Sequence, residues 1–487
     1  MIRIDGGRVR GTTGQDGGRV RGTTGQDGVT VFKGIPFAKA PFGPLRFAAP
    51  VPPDPWDGVL AADRFGPRPP QAPMMPGAPS WNPDDGLDIL TVNVWTPDAG
   101  GSGLPVMVWI YGGAFRFGSA DLPLHDGGRL AGQGVVVVTF NYRVGFEGFG
   151  HVPGAPGNRA FLDQVAALRW VQGNIAAFGG DPGRVTVFGQ SAGAVSIASL
   201  LAMPMADGLF GRAIAQSVCG VYFTPAHAER VTREISGRIG SLRDSAPEEL
   251  VAVSEAIANE DITGNFAKWG PMGFAGLAFA PVVDGEVLPD TPWNALAAGA
   301  GRDVDLIVGY TRDEYQMVHA MSGGWSAGLA PAMDALAPSG AESAYRTTHP
   351  DISDDDLYVR LMSDWMFRMP SALLADAHTG TTYAYELTWA PSPTFKACHM
   401  LDVPLTFGNV SDQMATMLSG DSPDLPGLSE QFRTAWLGFA TTGDPGWPRY
   451  EAGVATTHLF DVTPSDVDDP EAASHAIWSK TGFPAIA

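Results

Sequence analysis

The chain contains few cysteines, few basic residues and no long hydrophobic run. Only two of its 487 residues are cysteine, Cys219 and Cys398, and two are too few for a disulfide framework or a cysteine-rich zinc site. The 31 lysines and arginines are outnumbered by 52 aspartates and glutamates, which gives a formal net charge of −21. Nucleic acids and anionic membrane surfaces are repelled by such a charge, so neither is an expected partner.

The sequence also lacks a segment suited to spanning a membrane or directing export. The longest aliphatic run, residues 135–138 continuing to Phe140, is far shorter than the roughly 18 residues of a transmembrane helix. The first seven residues, MIRIDGG, lack the apolar core of a signal peptide. We therefore expect a cytoplasmic protein with two unpaired cysteines. Its 44% hydrophobic content leaves room for a large core.

An eleven-residue segment is duplicated near the N-terminus, over residues 5–26. Residues 5–15 read DGGRVRGTTGQ, and residues 16–26 repeat them without a change. Two copies are too few for a solenoid, so a simple duplication or a cloning scar is the better interpretation. The second copy continues into residues 29–32 and can form the outer arm of a hairpin that turns at Asp27-Gly28. The first copy has no evident partner.

Strand and helix patterns alternate over most of the chain. Consecutive apolar positions are typical of strands that are buried on both faces of a sheet. Such runs occur at residues 106–110, 135–140, 185–188, 305–308 and 383–387. Helical patterns lie between them, as in residues 162–175. This alternation predicts an α/β protein with a mostly parallel central sheet and helices on both faces.

We expect one domain over residues 1–487 that is enlarged by two helical insertions. Residues 224–300 and 315–377 both have helical patterns and both lie between late strands. Insertions at such places form lids over the C-terminal edge of a sheet. We find no linker that would separate autonomous domains.

The clearest functional signal is the sequence GQSAG at residues 189–193, with Ser191 at its centre. It follows the apolar run 185–188 and precedes a helix of small residues, which is the context of a nucleophile elbow. The turn is tight, so the positions two before and two after the serine must be small, and both are glycine. The hydroxyl of Ser191 then projects from the end of the sheet, and the N–H group of Ala192 points into the same space.

A serine hydroxyl is a weak nucleophile and needs a base, an orienting acid and donors for the oxyanion. Residues 111–115, Tyr-Gly-Gly-Ala-Phe, directly follow the strand 106–110 and have little side-chain bulk. Their backbone N–H groups can therefore face a substrate oxygen. A plain glycine turn is the alternative interpretation of this segment.

The acid and the base are expected after the serine, each in a loop that follows a strand. Glu314 has such a position, with Asp313 as its competitor and a surface ion pair with Arg312 as the non-catalytic alternative. Six histidines follow Glu314, and position favours His399 over its rival His458, which also has strand-like flanks. The other four lie in helical stretches, beside a proline or in the tail: His319, His349, His378 and His475.

These motifs resemble those of the type B carboxylesterases of the α/β-hydrolase superfamily, which include the cholinesterases and bacterial para-nitrobenzyl esterases. The resemblance extends from about Val29 to Pro448. Beside the elbow it includes FKGIPFA at residues 32–38, LTVNVWTP at 90–97, FNYRVG at 140–145, NRAFLDQ at 158–164 and FATTGDP at 439–445.

The resemblance implies a serine esterase that needs no metal or organic cofactor. It implies Glu314 as the acid and His399 as the base, because the family pattern His-x-x-Asp-x-Pro is matched by residues 399–404. The oxyanion donors that it implies are Gly113, Ala114 and Ala192. Ser196 stands where the family has a second serine near the site, although helix packing explains it equally well.

The sequence departs from the family pattern at two places. The usual Glu-Asp-Cys before Leu90 is replaced by Leu-Asp-Ile at residues 87–89, so a disulfide cysteine and a carboxylate that commonly pairs with an arginine are absent. The usual glutamate of the elbow is Gln190, which leaves the serine mechanism intact.

We therefore expect a serine carboxylesterase that hydrolyses small neutral esters through an acyl-enzyme. A carbamate or amide hydrolase with the same triad is the alternative, and a non-catalytic binding protein of the same fold is a more distant one. Phe115, Phe117 and Phe407 are candidates for the substrate pocket, with core packing as the alternative. A monomer is compatible with the sequence, which leaves the oligomeric state open.

Overall fold

A mixed β-sheet forms the centre of the fold. The computed structural model describes residues 2–3, 19–25, 28–75, 77–78, 80–322 and 328–487. Its strands within those ranges are β1 (Ile2–Arg3), β2 (Arg19–Arg21), β3 (Thr23–Thr24), β4 (Thr30–Pro36), β5 (Val59–Ala61), β6 (Thr91–Thr96), β7 (Leu104–Ile110), β8 (Val136–Phe140), β9 (Gly180–Gln190), β10 (Arg212–Gln216), β11 (Asp305–Thr311), β12 (Thr382–Leu387), β13 (Thr456–Phe460) and β14 (Ser465–Asp468).

Eleven of these described strands join in the order β14-β13-β12-β11-β10-β9-β7-β8-β6-β4-β3. Strands β7 to β13 are parallel to one another, whereas the outer strands on both sides pair antiparallel with their neighbours. The five apolar runs lie in β7, β8, β9, β11 and β12. Every residue of β8 and β12 is buried. The predicted α/β class with a mostly parallel sheet is therefore confirmed.

Helices occupy the connections between the strands. Those in the described ranges are α1 (Gly128–Ala131), α2 (Gly145–Phe149), α3 (Arg159–Asn174), α4 (Ala192–Ala202), α5 (Pro225–Ser236), α6 (Pro247–Ala256), α7 (Phe266–Trp269), α8 (Met272–Ala275), α9 (Pro292–Ala297), α10 (Gln316–Met321), α11 (Leu329–Leu336), α12 (Ala341–Thr348), α13 (Asp354–Ser363), α14 (Met369–Ala377), α15 (Asp402–Phe407), α16 (Gln413–Ser419), α17 (Leu425–Thr442) and α18 (Ala472–Trp478).

Two connections of the parallel sheet are long and helical. Helices α5–α9 lie between β10 and β11, and α10–α14 lie between β11 and β12. They fall within residues 224–300 and 315–377, the segments for which the sequence predicts helices. A lid function for these segments and the organisation as one domain stay predictions.

The strand register places the candidate functional residues at one edge of the sheet. Ile110 of β7 is level with Gly189 of β9, and Thr311 of β11 is level with Leu387 of β12. Because these strands are parallel, their carboxyl ends meet at the same edge, where ligands bind in open α/β sheets. The elbow and the loops after β7, β11 and β12 therefore come together.

The second copy of the duplicated segment supplies paired strands. Strand β3 pairs antiparallel with β4, with Thr23 opposite Val31 and Thr24 opposite Thr30, as the predicted hairpin arm requires. Strand β2 lies between β1 and β5 in a separate three-stranded sheet. The predicted turn at Asp27-Gly28 falls partly outside the described residues, and the first copy, residues 5–15, lies outside them entirely.

The two cysteines are both buried, and neither is part of a disulfide. Among the helices within the described ranges, none combines the length and the apolar character that crossing a bilayer requires.

Candidate active site

Ser191 lies at a strained turn between β9 and α4. Its backbone has φ 58° and ψ −125°, a region that costs a non-glycine residue about 1–3 kcal/mol. The surrounding chain holds this conformation from both sides, because the N–H group of Ser191 donates to the carbonyl of Gln216 at 2.9 Å and its carbonyl accepts from the N–H group of Val195 at 2.9 Å. Strain of this kind clusters at functional sites, where it aims a side chain.

The two glycines of the elbow pack directly against the end of β7. A Cβ atom on Gly189 would lie 2.6 Å from the carbonyl oxygen of Ile110, and one on Gly193 would lie 2.0 Å from the same oxygen. No side chain can be placed at either position without moving the backbone. The physical reason for the small residues predicted around Ser191 is therefore the close approach of the elbow to β7.

The loop after β7 runs beside the elbow. A Cβ atom on Gly112 would lie 3.0 Å from the Cβ atom of Ser191. Gly113, Ala114 and Phe115 follow with φ values of 124°, 52° and 62°, so three successive residues have positive φ. The turn is closed by the N–H group of Phe117, which donates to the carbonyl of Gly113 at 2.8 Å. This backbone is more constrained than a plain glycine turn.

Several backbone N–H groups near Ser191 have no acceptor among the described residues of the protein, and three of them are the oxyanion donors that the resemblance implies. These three belong to Gly113, Ala114 and Ala192, since no hydrogen bond from any of them is formed to those residues. Ala192 is the first residue of α4, and the first N–H groups of a helix lack partners within it. Such unpartnered donors can hold an oxyanion.

Glu314 and His399 form a hydrogen-bonded pair. Oε2 of the fully buried Glu314 accepts from Nδ1 of His399, which is 7% exposed. The N–H group of Thr311 donates to the other carboxylate oxygen at 2.8 Å. The N–H group of His399 donates to the carbonyl of Glu314 at 3.3 Å. The structure thus brings together the two residues that the sequence singles out as acid and base.

Asp313 has a different environment from Glu314. Its N–H group donates to the carbonyl of Ala397 at 2.8 Å, and its Oδ2 accepts from the N–H group of Ala397 at 3.2 Å. The Nε atom of Arg312 lies 3.6 Å from the same carboxylate. Asp313 therefore connects the loop after β11 to the residues just before His399.

His458 is part of the sheet and contacts neither Glu314 nor Ser191 in the described structure. It lies in β13, where its Nδ1 is 2.7 Å from Oδ1 of Asp466 and its ring stacks on Trp447 with 4.6 Å between centroids. Other histidines also have partners outside the elbow: His378 contacts Thr382 and Gly301, and His475 contacts Asp376 and Asp469.

Comparison with known proteins identifies the family of the chain. The family model described as "Carboxylesterase family" matches residues 2–329. The chain belongs to the carboxylesterase family. Para-nitrobenzyl esterase of Bacillus subtilis (strain 168) is 36% identical to it over 495 residues, which cover 96% of this chain and 95% of the relative. Fumonisin B1 esterase of Sphingopyxis macrogoltabida is 34% identical, with 87% of this chain and 82% of the relative covered.

Solved esterase structures show the same fold. A para-nitrobenzyl esterase has a TM-score of 0.82 at 34% identity, with 98% of each chain covered. The carboxylesterase of Geobacillus stearothermophilus has a TM-score of 0.84 at 35% identity, with 98% of this chain and 99% of that chain covered. The protein is therefore an α/β-hydrolase of the serine carboxylesterase type.

The three pocket candidates of this carboxylesterase differ in their surroundings. Phe115 is 3% exposed, and its ring packs edge-on against Phe149 at 5.2 Å. Phe117 is half-buried, and the guanidinium of Arg116 lies 4.9 Å from the centre of its ring. Phe407 is fully buried against the rings of Trp109 and Phe188. The packing of Phe407 is that of a core residue, so we leave it out of the substrate pocket.

Ser196 lies in α4, one turn beyond the elbow. Its Oγ donates to the carbonyl of Ala192 at 2.9 Å and accepts from Nε2 of Gln164 at 3.0 Å, and the side chain is buried. Both hydrogen bonds are structural, which favours the packing interpretation.

Burial changes the protonation of groups near His399. It raises the pKa of the Cys398 thiol to about 12, with a further contribution from the charge of Glu314, so this thiol stays protonated at neutral pH. It also raises the pKa of Asp402 to about 6, although Gln216 and Tyr385 both donate to Oδ2 of that carboxylate at 2.9 Å.

The sequence does not predict the contacts that residues of the second helical segment, 315–377, make with His399 and the loop that carries Glu314. The ring of Phe367 lies 4.2 Å from that of His399, and Oγ of Ser363 accepts from the N–H group of Tyr315 at 3.0 Å. Nη1 of Arg368 donates to the carbonyl of Arg312 at 3.2 Å. A helical pattern carries no signal for such contacts, because they depend on how the helix is placed against the sheet.

Proposed function

We propose that this carboxylesterase hydrolyses neutral esters through an acyl-enzyme on Ser191, with His399 as the general base and Glu314 as the acid that orients it. The observation that supports the proposal is the hydrogen bond from Nδ1 of His399 to the buried carboxylate of Glu314, with the imidazole 3.1 Å from the side chain of Gln190, the residue before Ser191 in the strained elbow. The unpartnered N–H groups of Gly113 and Ala114, together with that of Ala192, serve as oxyanion donors.

The proposed reaction begins with proton transfer from Ser191. Because Nδ1 of His399 donates to Glu314, the lone pair of the imidazole is on Nε2, which accepts the hydroxyl proton as Oγ attacks the ester carbonyl. The negative oxygen of the tetrahedral intermediate is held by backbone N–H groups, each worth about 10²–10³ in rate. His399 then protonates the leaving alcohol, and water hydrolyses the acyl-enzyme by the same steps.

The charge of the protein favours a neutral substrate. A formal charge of −21 does not hinder a neutral ester, whereas it repels the carboxylate product. Two relatives are named para-nitrobenzyl esterase and fumonisin B1 esterase, which supports a para-nitrobenzyl ester as the test substrate. We also propose a cytoplasmic location, supported by the two unpaired cysteines, and we expect no nucleic-acid partner.

The substitution Ser191→Ala tests the proposal, with Ser196→Ala as its matched control. We expect Ser191→Ala to keep the fold and to lower kcat for a para-nitrobenzyl ester by about 10⁴-fold or more. Ser196→Ala should retain turnover, because its hydroxyl bonds only to the helix carbonyl and Gln164. Substantial residual turnover in folded Ser191→Ala would contradict the assignment.

Two further measurements separate the alternatives. A fluorophosphonate should label the wild-type protein at Ser191, whereas a non-catalytic binding protein would neither be labelled nor turn over any ester. The value of kcat/KM should be compared for an ester, a carbamate and an anilide with matched leaving groups. We expect the highest value for the ester. A higher value for the carbamate or anilide would overturn the substrate class.

A further inference from the structure

The side chain of Gln71 binds both backbone polar groups of Gly118, at the end of the oxyanion loop (residues 112–118), which carries two of the proposed donors. Gln71 lies between β5 and β6 and is 8% exposed. Its Oε1 accepts from the N–H group of Gly118 at 2.8 Å, and its Nε2 donates to the carbonyl of the same residue at 2.8 Å. Nε2 also donates to the carbonyl of Pro69 at 3.0 Å. The opposite orientation of the amide would place its oxygen against two carbonyl oxygens, so the orientation is fixed.

Gly118 packs against the start of the same loop. Its φ is 111°, and a Cβ atom on it would lie 2.6 Å from the carbonyl oxygen of Gly112. The N–H group of Phe117 donates to the carbonyl of Gly113, and a Cβ atom on Gly113 would lie 2.3 Å from the carbonyl oxygen of Phe117. The two arms of the loop therefore touch backbone to backbone, with no side chain between them to absorb a displacement. A shift of Gly118 is expected to shift Gly113 as well.

Other contacts join the same two segments and remain when the amide is removed. Nδ2 of Asn141 donates to the carbonyl of Pro67 at 3.0 Å, and its Oδ1 accepts from the N–H group of Ala120 at 2.8 Å. Nε of Arg68 lies 2.9 Å from both carboxylate oxygens of Asp121. Because these contacts keep the segments together, a variant that lacks the amide is expected to fold.

We propose that Gln71 is a positioning residue of this esterase, which holds the oxyanion loop in the conformation that aims the N–H groups of Gly113 and Ala114 at the ester oxygen. The inference rests on the proposed function, since it takes these two groups as oxyanion donors. Such donors are effective because they are already in place when negative charge develops. Gln71 acts through Gly118 and takes no part in the chemical step.

The variant Gln71→Met tests this role, with Gln172→Met as its matched control. Methionine has a similar length but donates no hydrogen bond. Gln172 also donates from Nε2 to two backbone carbonyls, those of Pro182 and Leu209, both at 2.9 Å. Pro182 lies at the start of β9 and Leu209 lies just before β10, so both are at the edge of the sheet opposite to Ser191. The control therefore loses a comparable pair of hydrogen bonds far from the site.

We expect kcat/KM of Gln71→Met for an ester to fall about 10–100-fold, mainly through kcat, because the donors no longer meet the oxyanion at the right distance. The matching thionoester, in which sulfur replaces the carbonyl oxygen, should lose much less, since sulfur is a weak hydrogen-bond acceptor. The ratio of kcat/KM for the ester to that for the thionoester should therefore fall in Gln71→Met and stay at the wild-type value in Gln172→Met. A role in stability alone would lower both activities equally. An unchanged ratio in folded Gln71→Met overturns the inference.

An inhibitor provides a second measurement, which needs no turnover. When an aryl trifluoromethyl ketone adds to Ser191, Oγ bonds to the ketone carbon, the carbonyl electron pair moves onto the oxygen and the hydroxyl proton passes to His399. The oxyanion that forms is held by the same N–H groups. The Ki of the ketone should therefore rise in Gln71→Met by about the factor by which kcat/KM for the ester falls. A Ki equal to that of wild type overturns the inference.

Thermal unfolding of each variant should be recorded as a check of folding. If Gln71→Met does not fold, Gln71→Glu takes its place, because it keeps an acceptor for the N–H group of Gly118 and loses both donors, and the same ratio decides. Failure of this inference is distinguishable from failure of the proposed function. Turnover that survives in Ser191→Ala removes the proposed function, whereas an inactive Ser191→Ala with an unchanged ratio in Gln71→Met removes only the role of Gln71.

Discussion

Glu314 accepts a hydrogen bond from Nδ1 of His399, although 85 positions separate the two residues in the chain. Adjacent parallel strands bring them together, because Glu314 follows β11 and His399 follows β12. A backbone hydrogen bond also joins the two residues, since the N–H group of His399 donates to the carbonyl of Glu314. One carboxylate oxygen is held by Thr311, so the other is aimed at the imidazole.

Replacing Glu314 by glutamine should lower kcat far more than replacing Asp313 by asparagine. The glutamine amide can donate to the imidazole and stabilise the wrong tautomer, which costs about 10⁴-fold in serine hydrolases. Asp313→Asn keeps an oxygen that can accept from Ala397 and should remain close to wild type. Steady-state kinetics of both folded variants make the comparison. A larger loss of kcat in Asp313→Asn than in Glu314→Gln would show that Asp313, and not Glu314, is the acid that orients His399.

His399→Ala and His458→Ala form a matched pair for the base. We expect His399→Ala to lose at least about 10⁴-fold in kcat. His458→Ala should keep kcat and lose only some thermal stability, since His458 pairs with Asp466 and stacks on Trp447. The measurements are kcat and Tm for each variant. If His458→Ala loses activity and His399→Ala does not, the base is His458 and our assignment is wrong.

Gly193→Ala should destabilise the protein, whereas Gly173→Ala should not. The new methyl group at position 193 would lie 2.0 Å from the carbonyl oxygen of Ile110, and overpacking of this kind costs about 1–3 kcal/mol. Gly173 is exposed within α3 and has no atom within 4 Å of a Cβ position, so alanine should stabilise the helix by about 0.5–1 kcal/mol. Soluble yield and Tm provide the readout. A Gly193→Ala variant with wild-type Tm would show that the elbow can relax away from β7.

Glu386 should make the protein less stable as the pH rises. This carboxyl group in β12 is 1% exposed, and its Oε2 has no hydrogen-bond partner. Burial and the neighbouring charge of Glu471 raise the pKa of Glu386 to about 8. The folded state therefore retains a proton that the unfolded chain releases above about pH 4.3, and stability falls between about pH 4 and 8.

Glu386→Gln should remove that pH dependence. At pH 5 the variant and the wild type should have similar Tm values, since both groups are then uncharged in the folded state. At pH 9 the variant should be more stable by a few degrees, on the order of 2–4 °C. Thermal unfolding at both pH values makes the measurement. An equal difference in Tm at pH 5 and pH 9 would show that Glu386 does not titrate within this range.

Deleting residues 5–15 should leave the esterase intact. The second copy supplies β2 and β3, and the deletion shortens the connection between β1 and β2 from residues 4–18 to four residues. Closing a shorter connection on folding costs less entropy, which stabilises the folded state by about 1 kcal/mol. The Tm should therefore be equal to that of wild type or slightly higher. Val20→Asp and Val9→Asp provide a matched pair, because Val20 is fully buried in β2. A larger loss of Tm in Val9→Asp would assign the strand to the first copy.

Much of the fold is predictable from the sequence because its signals are local. A strand buried on both faces must be apolar at successive positions, and all five predicted runs lie in strands of the sheet. The elbow is equally local, since a tight strand-to-helix turn requires glycine on both sides of Ser191. The second copy of the duplicated segment forms the predicted hairpin arm because it directly precedes β4.

Contacts between distant segments are less predictable. Phe407 has the hydrophobicity of a pocket residue, and only the packing of α15 against the sheet shows that it lies in the core beside Trp109. Phe367 and Gln190 both contact His399. Nothing in the helical pattern around Phe367 indicates this contact, and the contact of Gln190 depends on where the loop after β12 places the imidazole.

The sequence by itself therefore determined the α/β class, the elbow and the short set of acids and bases. Residue type and spacing are sufficient for these features, because they follow from burial, periodicity and the sterics of a turn. The tertiary structure decided which of the candidates meet. Glu314 rather than Asp313 reaches His399, and His458 pairs with Asp466 in the sheet. Parallel strand register and the packing of loops at one edge make this choice, since a hydrogen bond depends on distances that no local pattern specifies.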